Sequence, residues 1–439
     1  MSRAVGVNLI GPASSNIGLG VIAREFAKAL LANGHPVSIF DRDAGGGRSK
    51  LDMSLAAHFV GSVDELPHDI NIWVFSATLI HYYALEVCAS PRLKAQFNAA
   101  MVWWELPHIP PLWADSARAF DAVLCATEFV RETWANHLSL IPVLLAPSPL
   151  DMPEAVLPDR ARFGLPAEPL LVYTGFEAAS DPIRKNPLGA VDAFRQAFPD
   201  NSDVRLVIKV NNPLVDGKLQ GALAKLYALI EGDERVILVT ERLAYADLLS
   251  LYASCDVVVS LHRSEGLGLI PLEAMRLGRA VVATAWSGNM TYMNHRNAGL
   301  VRFTLVPTDE SATHYSPREV GVQSLWAEPD VAHAAAWLRR FAADAELRRS
   351  IGQQAAHDSA RFNAAARRTE FVHELDALNV QRPWLPAKDH EDIQDRIRRG
   401  MQHDELRRLS APWRQVVRAR RSVMRQIGRH VTWRFQGRS

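Results

Sequence analysis

Short apolar runs, each followed by a segment able to form a helix, recur along most of the chain, and this alternation constrains the fold more than any other feature. The first run, AVGVNLIG from Ala4, leads through the loop SNIGLG to VIAREFAKALLANG, whose apolar residues fall at helical spacing and whose glycine marks a stop. HPVSIFDRD, INIWVFS, AAMVWWELP and AVLCATEFV continue the series. Strands covered on both faces read as unbroken apolar runs, and strands alternating with helices build a parallel sheet. From about Ala146 to Pro169 a polar, proline-dotted stretch interrupts the pattern and reads as an interdomain linker. A second series follows: LLVYTGF, VRLVIKVNN, RVILVT, CDVVVSLH and AVVAT. The alternation predicts two Rossmann-like α/β domains, residues 1–160 and 161–380, followed by an arginine-rich tail over 381–439.

Glu265 and Glu273 bracket the segment richest in chemistry, SEGLGLIPLEAMRLGRAVVAT. Gly266 and Gly268 let the backbone come close to a ligand, Pro271 suits the first turn of a helix, and Gly278 reads as the helix stop. The helix N-terminus would offer free amides to a phosphate, while the two carboxylates accept hydrogen bonds from sugar hydroxyls. Such a site suits a nucleotide sugar. Taken alone, two glutamates around a turn are ordinary surface charges. Between CDVVVSLH and AVVAT, however, they stand where ligands collect in α/β domains.

SLHRSEGLGLIPLEAMRLGRAVVATAWSGNMTYM, beginning at Ser260, resembles the donor-site signature of family 4 of the retaining GT-B glycosyltransferases. The resemblance covers residues 4 to 375 and implies the GT-B fold, two Rossmann-like domains facing across a cleft, here with a basic C-terminal helical tail. It implies Glu265 on hydroxyls of the transferred sugar, Glu273 on the ribose, and Gly266, Leu267 and Gly268 around the donor. In YTGFEAASDPIRKNPLGAVDAFRQAF, Arg184 and Lys185 match a basic pair that holds the donor diphosphate, where fixed cations stabilise charge on the leaving oxygen. The alternative is a solvated pair at a helix start. The commoner family pattern has glycine and arginine after the first strand of this domain, whereas Gly175 is followed here by Phe176. Lys209, ending LVIK, is the candidate replacement, against a lysine that snorkels out of the strand end. A branch of the family with RKNP and a lysine there is similar.

In the N-terminal domain, Gly18 and Gly20 of Asn16-Ile17-Gly18-Leu19-Gly20 resemble the glycine loop that faces the donor phosphates. Glu105 and His108, in WWELPH, are candidates for binding the acceptor or taking its proton, against a structural part in an aromatic core. Thr240, Glu241 and Arg242 follow the strand after which the family places the nucleobase; Ser287-Gly288-Asn289 either lines the donor pocket or makes a tight turn. Asp41-Arg42-Asp43 is a DxD tripeptide, the metal signature of a different glycosyltransferase fold, and stands outside its context. No metal or cofactor is expected.

The resemblance implies retention of anomeric configuration by attack on the face the diphosphate leaves, since no carboxylate nucleophile can be named on the other face. The implied activity is transfer of a hexosyl group, first of all mannose from GDP-mannose, to a hydroxyl of a glycan or lipid-linked glycan in surface polysaccharide synthesis. Rival readings are a GT-B nucleotide-sugar epimerase, a phosphorylase, for which no pyridoxal phosphate lysine is identified, and a catalytically silent GT-B scaffold whose basic tail recruits a partner.

The chain has 439 residues, 48% of them hydrophobic and 22% charged, enough to bury two cores. Cys88, Cys125 and Cys255 lie far apart without metal-ligand spacing, so a reducing, cytoplasmic setting is expected rather than a disulfide framework or zinc site. The start, MSRAVGVNLIGP, lacks the long apolar core of a secretion signal, and no run of about 18 apolar residues occurs. From Arg396 to Arg438 there are thirteen arginines and two acidic residues, an excess of +11 that leaves −10 for the rest of a chain of net charge +1. Trp413, Val416, Val417, Met424, Ile427, Val431 and Phe435 fall roughly on one helical face. Three readings of the tail stand. Residues 413–435 dock on anionic lipid at the inner face of the membrane, beside lipid-linked acceptors; or the tail packs back on the N-terminal domain; or it binds nucleic acid, a partner not expected, because basic and aromatic residues alone do not make an RNA site.

Overall fold

The computed structural model describes residues 4–15, 17–42, 52–153, 155–201, 203–215, 218–219, 221–312, 314–384 and 387–408. The N-terminal domain carries strands β1 (Val7–Gly11), β2 (Val37–Asp41), β3 (Phe59–Val60), β4 (Ile70–Ser76), β5 (Phe97–Trp103), β6 (Ala122–Cys125) and β7 (Val143–Leu145). Its helices are α1 (Gly18–Ala32), α2 (Ile80–Ala89), α3 (Pro91–Ala95), α4 (Pro111–Ala117) and α5 (Glu128–Ala135). The seven strands form one parallel sheet, ordered β3-β2-β1-β4-β5-β6-β7.

The second domain has strands β8 (Leu170–Glu177), β9 (Val204–Asn211), β10 (Leu214–Val215), β11 (Lys218–Leu219), β12 (Val236–Val239), β13 (Val257–Ser260), β14 (Ala280–Thr284), β15 (Gly299–Val301), β16 (Phe303–Pro307) and β17 (Leu325–Pro329). Its helices are α6 (Pro182–Lys185), α7 (Pro187–Ala197), α8 (Gly221–Ile230), α9 (Tyr245–Ser254), α10 (Leu269–Arg276), α11 (Pro317–Val320), α12 (Val331–Ala343) and α13 (Ala345–Ala366). Six strands form a parallel sheet, ordered β12-β9-β8-β13-β14-β15. The pairs β10-β11 and β16-β17 are antiparallel.

Both sheets are buried on both faces, which is why their strands read as unbroken apolar runs. On β4, Ile70, Ile72 and Val74 point into a cluster with Phe26 and Leu30 of α1, while Trp73 and Phe75 point into the cluster under α2 and α4. On β13, Val257 and Val259 enter one core and Val258 the other.

Two expectations are corrected here. The glycines of SNIGLG do not all lie in a loop: α1 begins at Gly18, so Gly18 and Gly20 form its first turn, and Asn16 lies outside the described residues. The second correction concerns the C-terminal segment. Helix α14 (Phe371–Gln381), placed by sequence in the second domain, packs on the N-terminal core through Phe371, Val372 and Leu375, with Phe371 edge-on to Phe26 at 5.8 Å. Helix α15 (His390–Arg408), the described part of the tail, follows the reading in which the tail packs back on the N-terminal domain: it buries Ile393 and Ile397 among residues of α2 and α4. Ile393, Ile397 and Met401 recur every four residues and make the apolar stripe that carries this docking. Lys388 and Arg382 reinforce it with ion pairs to Asp121 at 2.7 and 3.4 Å. Residues 413–435 lie outside the described residues. No helix among the described residues is long and apolar enough to cross a membrane.

Candidate active site

The site grows from the C-terminal ends of parallel strands. After β8 the segment DPIRKNP makes two short capped turns. Asp181 (φ 63°) accepts hydrogen bonds from the amides of Ile183 and Arg184, and Asn186 (φ 53°) accepts one from Gly189, with proline next in each case. Left-handed backbone at non-glycine residues costs about 1–3 kcal/mol each and persists where surrounding bonds over-determine it. Here the Asn186 amide also donates to Leu261 O at 3.0 Å, tying this corner to the end of β13. The turn thereby delivers Arg184 and Lys185 beneath the segment that follows β13.

That segment carries Glu265, only 6% exposed. Lys185 Nζ donates to Glu265 Oε1 at 2.5 Å and Arg184 Nη1 to Oε2 at 3.1 Å. Burial by itself would raise the carboxyl, but the two cations overcome it and hold Glu265 down to about 2. The Glu265 amide donates to Ser287 Oγ at 2.8 Å, and Ser287, at φ 79°, joins the turn after β14 to the same site. Gly266 and Leu267 then lead to Gly268, whose φ of 83° suits glycine and which caps the N-terminus of α10. Tyr292 fixes this approach by donating to the carbonyls of Leu267 and Gly268 at 2.9 and 2.7 Å.

Glu273, on α10, is 5% exposed and accepts a hydrogen bond from the Tyr245 hydroxyl at 2.9 Å. Burial pushes its carboxyl up to about 7, with the Tyr245 bond opposing. The two glutamates of the motif are therefore opposites: one is locked as a carboxylate between cations, the other takes up a proton near neutrality.

The N-terminal domain meets this site directly. Trp104 and Glu105 follow the C-terminal end of β5, and the Glu105 backbone carbonyl accepts the Ser264 hydroxyl. Thr127 donates to Gly266 O at 2.8 Å, and Glu105 Oε1 lies 4.0 Å from Arg184 Nη2. Glu105, Arg184, Lys185, Glu265 and the 266–268 turn are thus one constellation spanning both domains.

Residues 169–315 match the model of a family described as Glycosyl transferases group 1. No curated protein matches the sequence significantly. Among solved structures, HepE of Anabaena in complex with UDP and glucose superposes with a TM-score of 0.60 at 15% identity, over 85% of this chain and 100% of that one. Sucrose-phosphate synthase of Thermosynechococcus elongatus superposes at 0.58 and 16% identity, over 86% and 99%. The chain has the GT-B fold.

The GT-B architecture places the remaining candidates with less unity. Arg184 is 2% exposed and its guanidinium is engaged by Glu265, the Ser264 carbonyl and Ser180, so it faces the protein more than the cleft. Lys209 does not snorkel outward: it is 1% exposed, and its ammonium donates to Asn211 Oδ1 at 2.5 Å and Val210 O at 3.2 Å, with burial lowering its pKa. His108 is exposed, with Nδ1 3.1 Å from Ser324 Oγ of the opposite domain. Arg242 is exposed beyond β12, next to Glu241, which pairs with Arg162 at 3.4 Å. Asp41 accepts the Ser14 amide and Arg42 pairs with Glu86, while Asp43 lies outside the described residues. Among the described residues no three His, Cys, Asp or Glu side chains are grouped to hold a metal ion.

Sequence reasoning missed three contributors. Tyr245 and Tyr315 are lone tyrosines without a motif, and only the fold brings them to Glu273 and Glu105. Buried His262 bridges Ser260 Oγ at 2.9 Å and Asn289 Oδ1 at 3.1 Å; its place directly after an apolar run was the available signal.

Proposed function

We propose that this GT-B protein is a retaining, metal-independent hexosyltransferase that moves a hexosyl group from a nucleotide sugar to a hydroxyl of a glycan or lipid-linked glycan. The observation that carries this reading is Glu265, buried as a carboxylate between Arg184 and Lys185 at the turn into α10 and opposite Glu105. A carboxylate fixed in that state accepts hydrogen bonds from sugar hydroxyls without titrating. Lys185, whose side chain is 20% exposed, is the cation of the pair that can turn towards a departing diphosphate. Same-face attack by the acceptor hydroxyl needs no nucleophile from the protein, and the departing diphosphate can itself take the proton. Glu105, from the other domain, is positioned to orient the acceptor.

Mannose from GDP-mannose is the donor favoured by the motif resemblance, with surface polysaccharide synthesis at the inner face of the membrane as its setting. The HepE structure holds UDP and glucose, which adds UDP-sugars to the donors worth testing. A thermal-shift screen against GDP, UDP, dTDP and ADP, with and without EDTA, tests the reading. Stabilisation by one nucleotide regardless of EDTA is the expected result. Shifts that vanish with EDTA would overturn metal independence, and no shift with any nucleotide would favour the silent scaffold.

A further inference from the structure

Tyr315 lies in the loop before α11, 210 residues from Glu105 in sequence, yet its hydroxyl donates to Glu105 Oε2 at 2.9 Å. Its ring stacks on Trp104 of the N-terminal domain, with centroids 5.4 Å apart and planes 28° from parallel. The Arg184 guanidinium stands 5.1 Å from the same ring. Tyr315 is 7% exposed, and its neighbours hold it in place: the His314 amide donates to Asp181, and Ser316 caps α11. One phenol therefore touches the acceptor-side carboxylate, an N-terminal aromatic, and the arginine that grips Glu265.

Resting on the transferase reading above, we infer that Tyr315 is a positioning residue for the reaction, holding Glu105 in register with the Arg184–Glu265 pair when the two domains meet. The geometry supports this in two ways. Glu105 has one oxygen turned towards Arg184 at 4.0 Å and the other bound by Tyr315, so the tyrosine fixes the rotation of the carboxylate. Furthermore, Tyr315 belongs to the second domain and both Trp104 and Glu105 to the first, so the bond to Glu105 forms only when both domains are in place.

The test uses the full chain and follows nucleoside diphosphate released from UDP-glucose and GDP-mannose with water as acceptor. Tyr315→Phe keeps the ring and removes only the hydroxyl. It should lower kcat about tenfold, as for loss of a hydrogen bond to a charged group, and leave donor KM within about twofold. Glu105→Gln combined with Tyr315→Phe should be no slower than Glu105→Gln alone, because residues acting through one another are not additive. Tyr315→Leu, which also removes the stacking, should lower Tm as well as kcat; the phenylalanine variant stays readable if this one fails to fold. A wild-type kcat in Tyr315→Phe, or losses that multiply in the double variant, would overturn the inference alone. Failure of the wild type to bind or release any nucleoside diphosphate would overturn the transferase reading and the inference with it.

Discussion

Replacing Glu273 by glutamine should stabilise the unliganded protein, and more so as pH rises. The carboxyl is 5% exposed, has no cation among its hydrogen-bond partners in the described residues, and titrates at about 7 instead of its ordinary 4.5. A folded pKa above the unfolded one means that the protonated form favours folding: this stability is complete below 4.5 and is lost as pH rises through about 7. The gap is worth about 3 kcal/mol at 1.36 kcal/mol per tenfold change in proton affinity. Glutamine keeps an oxygen for the Tyr245 hydroxyl but has no proton to lose. Its advantage should therefore grow from about 1.4 kcal/mol at pH 5.5 to about 3 kcal/mol at pH 8.5. Urea unfolding of wild type and Glu273→Gln at those two pH values, compared at equal slope, measures the difference. An advantage that does not grow with pH, or a loss of stability at pH 8.5, would refute the assignment of a buried carboxyl unpaired with any cation. If Glu273 also receives the donor ribose, Glu273→Ala should raise donor KM well above its effect on acceptor KM.

Glu265→Gln should behave in the reverse sense. Its carboxyl is held down to about 2 by Lys185 and Arg184 against the effect of burial, so the wild-type residue contributes about 3 kcal/mol at pH 7, present above 4.5 and fading as pH falls through about 2; a destabilisation equal at pH 7 and pH 3 would contradict this. At Gly288 an added Cβ would lie 2.0 Å from the Gly266 carbonyl oxygen, so Gly288→Ala must displace the turn beside Glu265. The nucleotide-induced thermal shift should then be abolished; a shift of wild-type size would count against the placement of that turn. Ile397 is fully buried on α15, and Ile397→Ala should cost about 2–4 kcal/mol and open residues 390–408 to limited proteolysis, whereas an unchanged Tm would mean that α15 does not pack there.

Much of the site was legible because it is local. Apolar runs alternating with helical periods located the strands, and ligands gather at the ends of parallel strands, so Glu265, Gly268 and Glu273 could be placed from one segment. The capped turns of DPIRKNP are likewise written in neighbouring residues, Asp181 before Pro182 and Asn186 before Pro187. The role of Arg184 was not: a guanidinium before a helix reads as a solvated cation, and only the crossing of β8 beside β13 turns it inward onto Glu265. Lys209 was seen at a strand end, but its bond to Asn211 depends on how the next two residues turn. The arginine count drew attention to the tail as a charged segment, although Ile393, Ile397 and Met401 carry its described part into the core.

The sequence by itself determined the two α/β domains, the turn into α10 and the pair of glutamates that flank it, because periodicity, capping and backbone freedom are properties of residues close along the chain. Tertiary structure alone decided which glutamate stays charged and which takes up a proton, why Tyr315 reaches Glu105, and where the final helices return. Each of those outcomes depends on burial and on partners far away in sequence, for desolvation and charge pairing are set by what surrounds a group in space.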